Sequence, residues 1–456
     1  MRRIFFILTS LVMVLAGCQA AVTEVIPTTP PAAGDLPDTW TPAPTVEPSL
    51  APPTSTVGIS PSPTPTDLPS TQSLSTAAAT QPKSEEIPTA TQIDLIPGKE
   101  LTITQIHMFT KDRGWAIGYQ ENPDLRILAT EDGGRTWWDR TPPASFAELD
   151  AISEFETIAL FRDEDTAWMI FNNDLTEEDP YTHVMWRTTD GGQSWAHSSP
   201  LPFPLKTYYI TPGDIFFIDP QQGWLWTHLG FTHMHDISYL FRTSDGGQTW
   251  RLVNQPGDSM LEVLVNTELG FANDQDGWML KDSLGGFEPF VEVTRDGGVS
   301  WVSIPLPAPD RDWEAIDSRC LGSDPYFMGA EMGGFLLNCT PHAGEVVYDL
   351  ENLPSYLCKS GDFGQTWEIQ AFPSQVDQLI FLNENVGYAL GRIHYRTLDG
   401  GESWQKLKEV NWTGQFSFIS QEEAWAVARD GDEIALVHTE DGGATYQIIL
   451  PAAAGD

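Results

Sequence analysis

Positive charge is scarce in this 456-residue chain: Lys and Arg number 24 against 64 Asp and Glu, for a formal net charge of −40. Nucleic acids and anionic lipid surfaces both need a basic footprint, so neither is an expected partner surface. Cysteine is scarce too, with four residues. Three of them, Cys320, Cys339 and Cys358, share one stretch, where an exported chain could close one disulfide and leave a thiol over. Their long spacings and the lack of a histidine cluster argue against zinc there. Also missing are a Gly-rich phosphate loop, a Gly-x-Ser-x-Gly elbow and a His-Glu-x-x-His motif, and with them the chemistries those motifs serve. No cofactor is implied. Long amphipathic helical patterns are absent as well, which points to an all-β chain.

What is present begins with a recurrent turn. Thr243-Ser244-Asp245-Gly246-Gly247-Gln248-Thr249-Trp250 has six counterparts, whose aspartates are Asp132, Asp190, Asp296, Asp362, Asp399 and Asp441. Two copies depart from the pattern, with Phe363 in place of the first glycine and Tyr446 in place of the closing Trp. Asp-Gly-Gly between strand-like runs is a reversal signal, because glycine accepts the positive φ that a tight turn needs. The carboxylate can bond backbone N–H groups within the same turn, so all seven aspartates are expected to be structural. Before each turn stands a second phrase, a small residue followed by an aromatic: Trp115, Trp168, Trp224, Trp278, Phe335, Tyr388 and Trp425. The repeat therefore reads strand, turn, aromatic strand, loop, strand, turn, strand. Seven such units predict a seven-bladed β-propeller of four-stranded antiparallel blades.

The turn resembles the Asp-box, or bacterial neuraminidase repeat, which in that family is structural and lies away from the ligand face. Gly114-Trp115-Ala116-Ile117-Gly118, followed by an apolar strand and the turn, resembles the photosystem II assembly and stability factors. That resemblance implies a non-enzymatic scaffold binding a protein partner at a membrane. The family's binding is associated with a basic surface, and this acidic chain departs from it.

At the N-terminus, Met1-Arg2-Arg3 precedes the apolar run Ile4–Leu15, which has secretory-signal length. Leu15-Ala16-Gly17-Cys18 resembles the lipobox of bacterial lipoproteins, implying a signal peptide over 1–17 and lipidation of Cys18. Residues 18–92 are rich in Pro, Thr and Ser and cannot bury a core, so they read as a disordered stalk. Residues 93–456 carry the propeller, and Ile93-Asp94-Leu95-Ile96 is expected to add a strand closing the ring near Tyr446–Leu450.

Function is expected on loops opposite the repeated turns. One of them, His228–Asp236, offers His228, His233, His235 and Asp236 as candidate ligands for a transition metal, against the plainer reading of an exposed polar loop. His183 and His342 fall on equivalent loops. No catalytic residue is assigned. The sequence expectation is thus a lipid-anchored extracytoplasmic scaffold without enzymatic activity, with protein partners at the cell envelope. The alternative is a surface propeller that binds or cleaves glycans, with Phe231, Tyr181, Phe287 and Tyr348 as loop aromatics and loop carboxylates for catalysis.

Overall fold

The computed structural model describes residues 94–455, apart from segments 121–124, 144–156, 172–182, 205–210, 233–234, 255–266, 282–289, 308–318, 329–331 and 341–354. The chain is all-β: seven blades follow one another in chain order around an axis, each a four-stranded antiparallel sheet, with an extra strand in two of them. Blade one, for example, runs Thr102–Met108, Gly114–Tyr119, Arg126–Thr130 and Thr136–Asp139. The first strand of each blade is innermost, and the repeated turn joins the third strand to the fourth.

The turn's chemistry follows from its residues. Gly246 and Gly247 take φ of 76° and 86°, values that a Cβ would strain. Asp245 Oδ1 accepts from Thr249 N at 2.9 Å and from Thr243 Oγ1 at 2.8 Å, while Oδ2 accepts from Thr249 Oγ1 at 2.6 Å. Thr243 Oγ1 in turn accepts from Gly247 N at 2.9 Å. The same bonds recur at Asp132, Asp190, Asp296, Asp362, Asp399 and Asp441 with their flanking Thr or Ser. Phe363 is the exception in backbone terms, a non-glycine residue held at φ 61°.

Apolar packing lies chiefly between blades. The seven buried clusters each join neighbouring blades, including one between blade seven and blade one around Trp425, Trp137, Ile106 and Leu436. The second-strand aromatics are buried there, and several donate across the seam. Trp168 Nε1 bonds Gly246 O of the next blade's turn at 2.9 Å, Trp224 Nε1 bonds Gly297 O at 3.0 Å, and Trp425 Nε1 bonds Gly133 O at 3.0 Å. A bulky apolar ring with one polar tip thus packs a blade and also fixes its neighbour.

Ring closure differs from the expectation. Asp94–Ile96 form no strand. Instead Ala452–Ala453 pairs in parallel with Thr136–Asp139, the outer strand of blade one. Gly98 N, Leu101 N and Ala454 N complete the clasp by donating to Ala453 O, Pro451 O and Trp137 O. The C-terminal tail lies between the start of the propeller and its first outer strand, so the carbonyls and amides of both satisfy it.

The cysteines resolve into a Cys320–Cys339 disulfide, joining directly paired positions of the first strand of blade five and its neighbour. Cys358 is a free, fully buried thiol.

Candidate functional site

Two features line the axis and the face opposite the repeated turns. The first is a ring of residues from the innermost strands. Gln105, Ile158, Asp214, Glu268, Gln378 and Gln415 occupy one register position, each the tenth residue before its blade's aromatic. Two of the glutamines clasp the next blade. Gln378 Oε1 accepts from Phe416 N at 2.7 Å, and its Nε2 donates to Phe416 O at 3.2 Å. Gln415 Oε1 accepts from Ile106 N at 2.8 Å, and its Nε2 donates to Ile106 O at 2.9 Å. A primary amide suits both jobs because it carries an acceptor and a donor side by side.

On the opposite arc the ring is acidic. Asp214 in blade three, Glu268 in blade four and Asp324 in blade five bring carboxylate oxygens within 4.8 Å of one another. Asp214 Oδ2 accepts from Leu269 N at 3.2 Å. Burial, reinforced by the charge of Asp324, pushes the Asp214 carboxyl well above the ordinary carboxylate range, against the pull of N–H donors from Leu269 and Ile215. Carboxylates this close repel one another, so the spacing and the raised Asp214 carboxyl have one electrostatic sense.

The second feature is a cavity of about 990 Å³ over blades six and seven. Its walls come from the second-to-third-strand loops, with Arg392 and Asp430, from the link Glu409–Thr413, and from Gln375 and Asp377 at the entry to blade six. Its floor includes Gln415 of the ring. Burial raises the Asp377 carboxyl above its ordinary value, although Gln375 Nε2, donating to Oδ1 at 2.9 Å, and the charge of Arg392 pull the other way. Asp430 Oδ2 accepts from Asn411 Nδ2 at 3.3 Å, and Arg429 Nη2 donates to Thr104 O of blade one at 3.0 Å. One perturbed carboxyl, further carboxylates and several amides converging on a concave space make this the site best equipped for proton transfer and for holding hydroxyl groups.

The histidine-rich loop is rearranged relative to the expectation. Gly223–Thr232 and His235–Thr243 are paired strands, with Phe231 opposite Asp236 and Thr232 opposite His235, so most of the stretch is a hairpin extension. His228, His235 and Asp236 lie on its backbone, and His233 lies outside the described residues. His183 is 1% exposed, edge-on to Phe203, which removes it from the exposed face. The acidic loop 172–182, Tyr181, Asp282, Phe287, His342 and Tyr348 fall outside the described residues, as do Cys18 and the stalk. Arg242, just before the turn of blade three, reaches Asp274 at 3.7 Å and stacks over Trp224 at 4.8 Å.

No protein-family model matches the chain, and neither does any curated protein. Similar solved structures include an ulvan lyase of polysaccharide lyase family 25, at 11% identity over 77% of this chain and 97% of that one, with a TM-score of 0.49. An α-L-arabinanase from Penicillium chrysogenum is 12% identical over 63% of this chain and 93% of that one, with a TM-score of 0.42. The β-propeller domain of the Trilobed protease from Pyrococcus furiosus is 10% identical over 77% of this chain and 98% of that one, with a TM-score of 0.45. At such identities the likeness concerns the fold. The expectation of a chain without enzymatic activity is not matched by these neighbours, since the lyase and the arabinanase are enzymes.

Proposed function

We propose that the chain is a glycan-binding and glycan-cleaving propeller whose site is the cavity over blades six and seven. The observation that carries the reading is Asp377, a carboxyl raised by burial in a polar cavity of about 990 Å³ that also presents Glu409 and Asp430. A carboxyl that keeps its proton is the group a glycosidic oxygen needs as the bond to the anomeric carbon breaks. In this reading Asp377 gives its proton to the departing oxygen, and Asp430 takes one from the attacking water. The net change is water added across one glycosidic bond. Gln375, Asn411, Arg392 and Gln415 supply the donors and acceptors that fix a polyhydroxylated ring. Carbohydrate action is also the activity named for the lyase and the arabinanase.

The anchor belongs to the same proposal. Lipidated Cys18 would hold the propeller outside a bacterial membrane on its Pro/Thr/Ser-rich stalk, presenting it to envelope or environmental glycans. The test is a glycan array together with a hydrolysis and elimination panel on the full chain and on Asp377→Asn. Turnover by the wild type, lost in Asp377→Asn with binding retained, supports the reading. A stoichiometric protein partner with neither glycan binding nor turnover contradicts it. For the anchor, Cys18→Ser should move the protein out of the membrane fraction, and a wild-type chain without acyl mass rejects that part.

A further inference from the structure

The ring at the axis contains an inconsistency that one proton removes. Gln378 and Gln415 each bond both the N–H and the C=O of the residue that follows the ring position in the next blade, Phe416 and Ile106. Asp214 holds the same register position, and its partner by that rule is Leu269, which follows Glu268. The N–H half of the clasp is present, from Leu269 N to Asp214 Oδ2 at 3.2 Å. Leu269 pairs with Met279 as Phe416 pairs with Ala426 and Ile106 with Ala116, so its carbonyl is directed at the preceding blade in the same way. An ionised carboxylate has no hydrogen to offer that carbonyl, whereas a carboxylic acid matches a primary amide in presenting one acceptor and one donor.

We infer that Asp214 carries a proton at neutral pH and donates it to the Leu269 carbonyl, closing the seam between blades three and four as the glutamines close theirs. The seam is then a pH-sensitive clasp. The titratable groups facing Asp214 are Glu268 on the neighbouring innermost strand and Asp324 at blade five, both acidic, so the surroundings hold the proton in place. Ionisation removes the donor and adds a negative charge to an already acidic cluster. Glutamine at this position would give the same clasp without a titration, which makes Asp214 the point at which the ring senses pH.

The sign of the effect follows from linkage. A carboxyl held above its unfolded value contributes stability that is full below about pH 4 and is lost as pH rises through the folded value. The full chain should be compared with Asp214→Gln by urea unfolding between pH 5 and pH 9, and by infrared spectroscopy of the protonated-carboxyl C=O band. The unfolding constant of the wild type should rise by up to tenfold per pH unit relative to Asp214→Gln until the carboxyl has ionised. At neutral pH a protonated-carboxyl band should be present in the wild type and diminished in the variant. Parallel pH profiles overturn the inference, as does a band unchanged by Asp214→Gln but removed by Glu268→Gln. A wild type with no such band at neutral pH overturns it without recourse to any variant.

Discussion

Asp245→Ala is the perturbation whose cost can be worked most closely from the structure. The carboxylate accepts three hydrogen bonds, from Thr249 N, Thr249 Oγ1 and Thr243 Oγ1. Thr249 is exposed, so water replaces most of what it loses, about 0.5 kcal/mol per bond. Thr243 is 2% exposed, and its hydroxyl hydrogen would lose its acceptor where water does not reach, a penalty of about 1–2 kcal/mol. The whole is about 2–3 kcal/mol, and Asp245→Asn, which keeps one acceptor, should cost less. Equilibrium urea unfolding should show a lower midpoint with an unchanged slope. The loss should also depend on pH. Burial works to raise the Asp245 carboxyl, but bonds from Thr249 and Thr243 outweigh it and hold the group below its ordinary value. Its contribution is therefore present above about pH 4 and fades as pH falls through the lower folded value, so wild type and variant should converge in acid. A variant as stable as the wild type at pH 7, or a gap undiminished in acid, would refute the reasoning.

Other perturbations test other joints. Phe363→Gly relieves a residue held at φ 61° but gives up the ring beneath Arg295, so thermal unfolding should show a net gain of up to about 1 kcal/mol. Deleting residues 451–456 removes the parallel pairing onto blade one, and amide exchange should then quicken first in the outer strand Thr136–Asp139. Replacing Cys320 and Cys339 by serine opens a loop closed across a sequence separation of 19, which should cost about 2–4 kcal/mol and abolish any effect of reductant on unfolding. His394 is fully buried and its imidazole is lowered to about 4, by burial and then by Lys408. Stability tied to it is present above about pH 6.5 and is lost as pH falls towards 4, so His394→Phe should flatten that part of the acid profile.

The fold was legible because its two recurrent phrases are local. Asp-Gly-Gly needs only its own turn to make sense, and a small residue before an aromatic marks a strand pressed against a neighbouring blade. The seam bonds of Trp168, Trp224 and Trp425 were not legible, since they join residues that sequence places 73 to 292 positions apart. Ring closure was misassigned to Ile93–Ile96 because an apolar run looks more strand-like than the Pro-Ala-Ala-Ala tail that does the pairing. That tail is held by backbone groups, which leave little trace in side-chain pattern. The axial ring did leave a signal, a polar residue ten positions before most of the aromatics, but it emerges only once the aromatic phrases are aligned. The histidines of His228–Asp236 mark that stretch as a candidate ligand loop in the sequence, yet much of it is paired strand. The cavity over blades six and seven is assembled from loops and links of two blades, so no single stretch announces it.

In the proposed function this cavity acts on glycans through Asp377. The most direct measurement is the rate at which the full chain releases reducing ends or unsaturated products from a panel of plant, algal and bacterial polysaccharides, for wild type and Asp377→Asn. Hydrolytic turnover is expected on at least one polysaccharide, reduced in Asp377→Asn by about 10²-fold or more, the scale expected for loss of a general acid. No turnover and no binding across the panel, or equal rates for the two proteins, would contradict it.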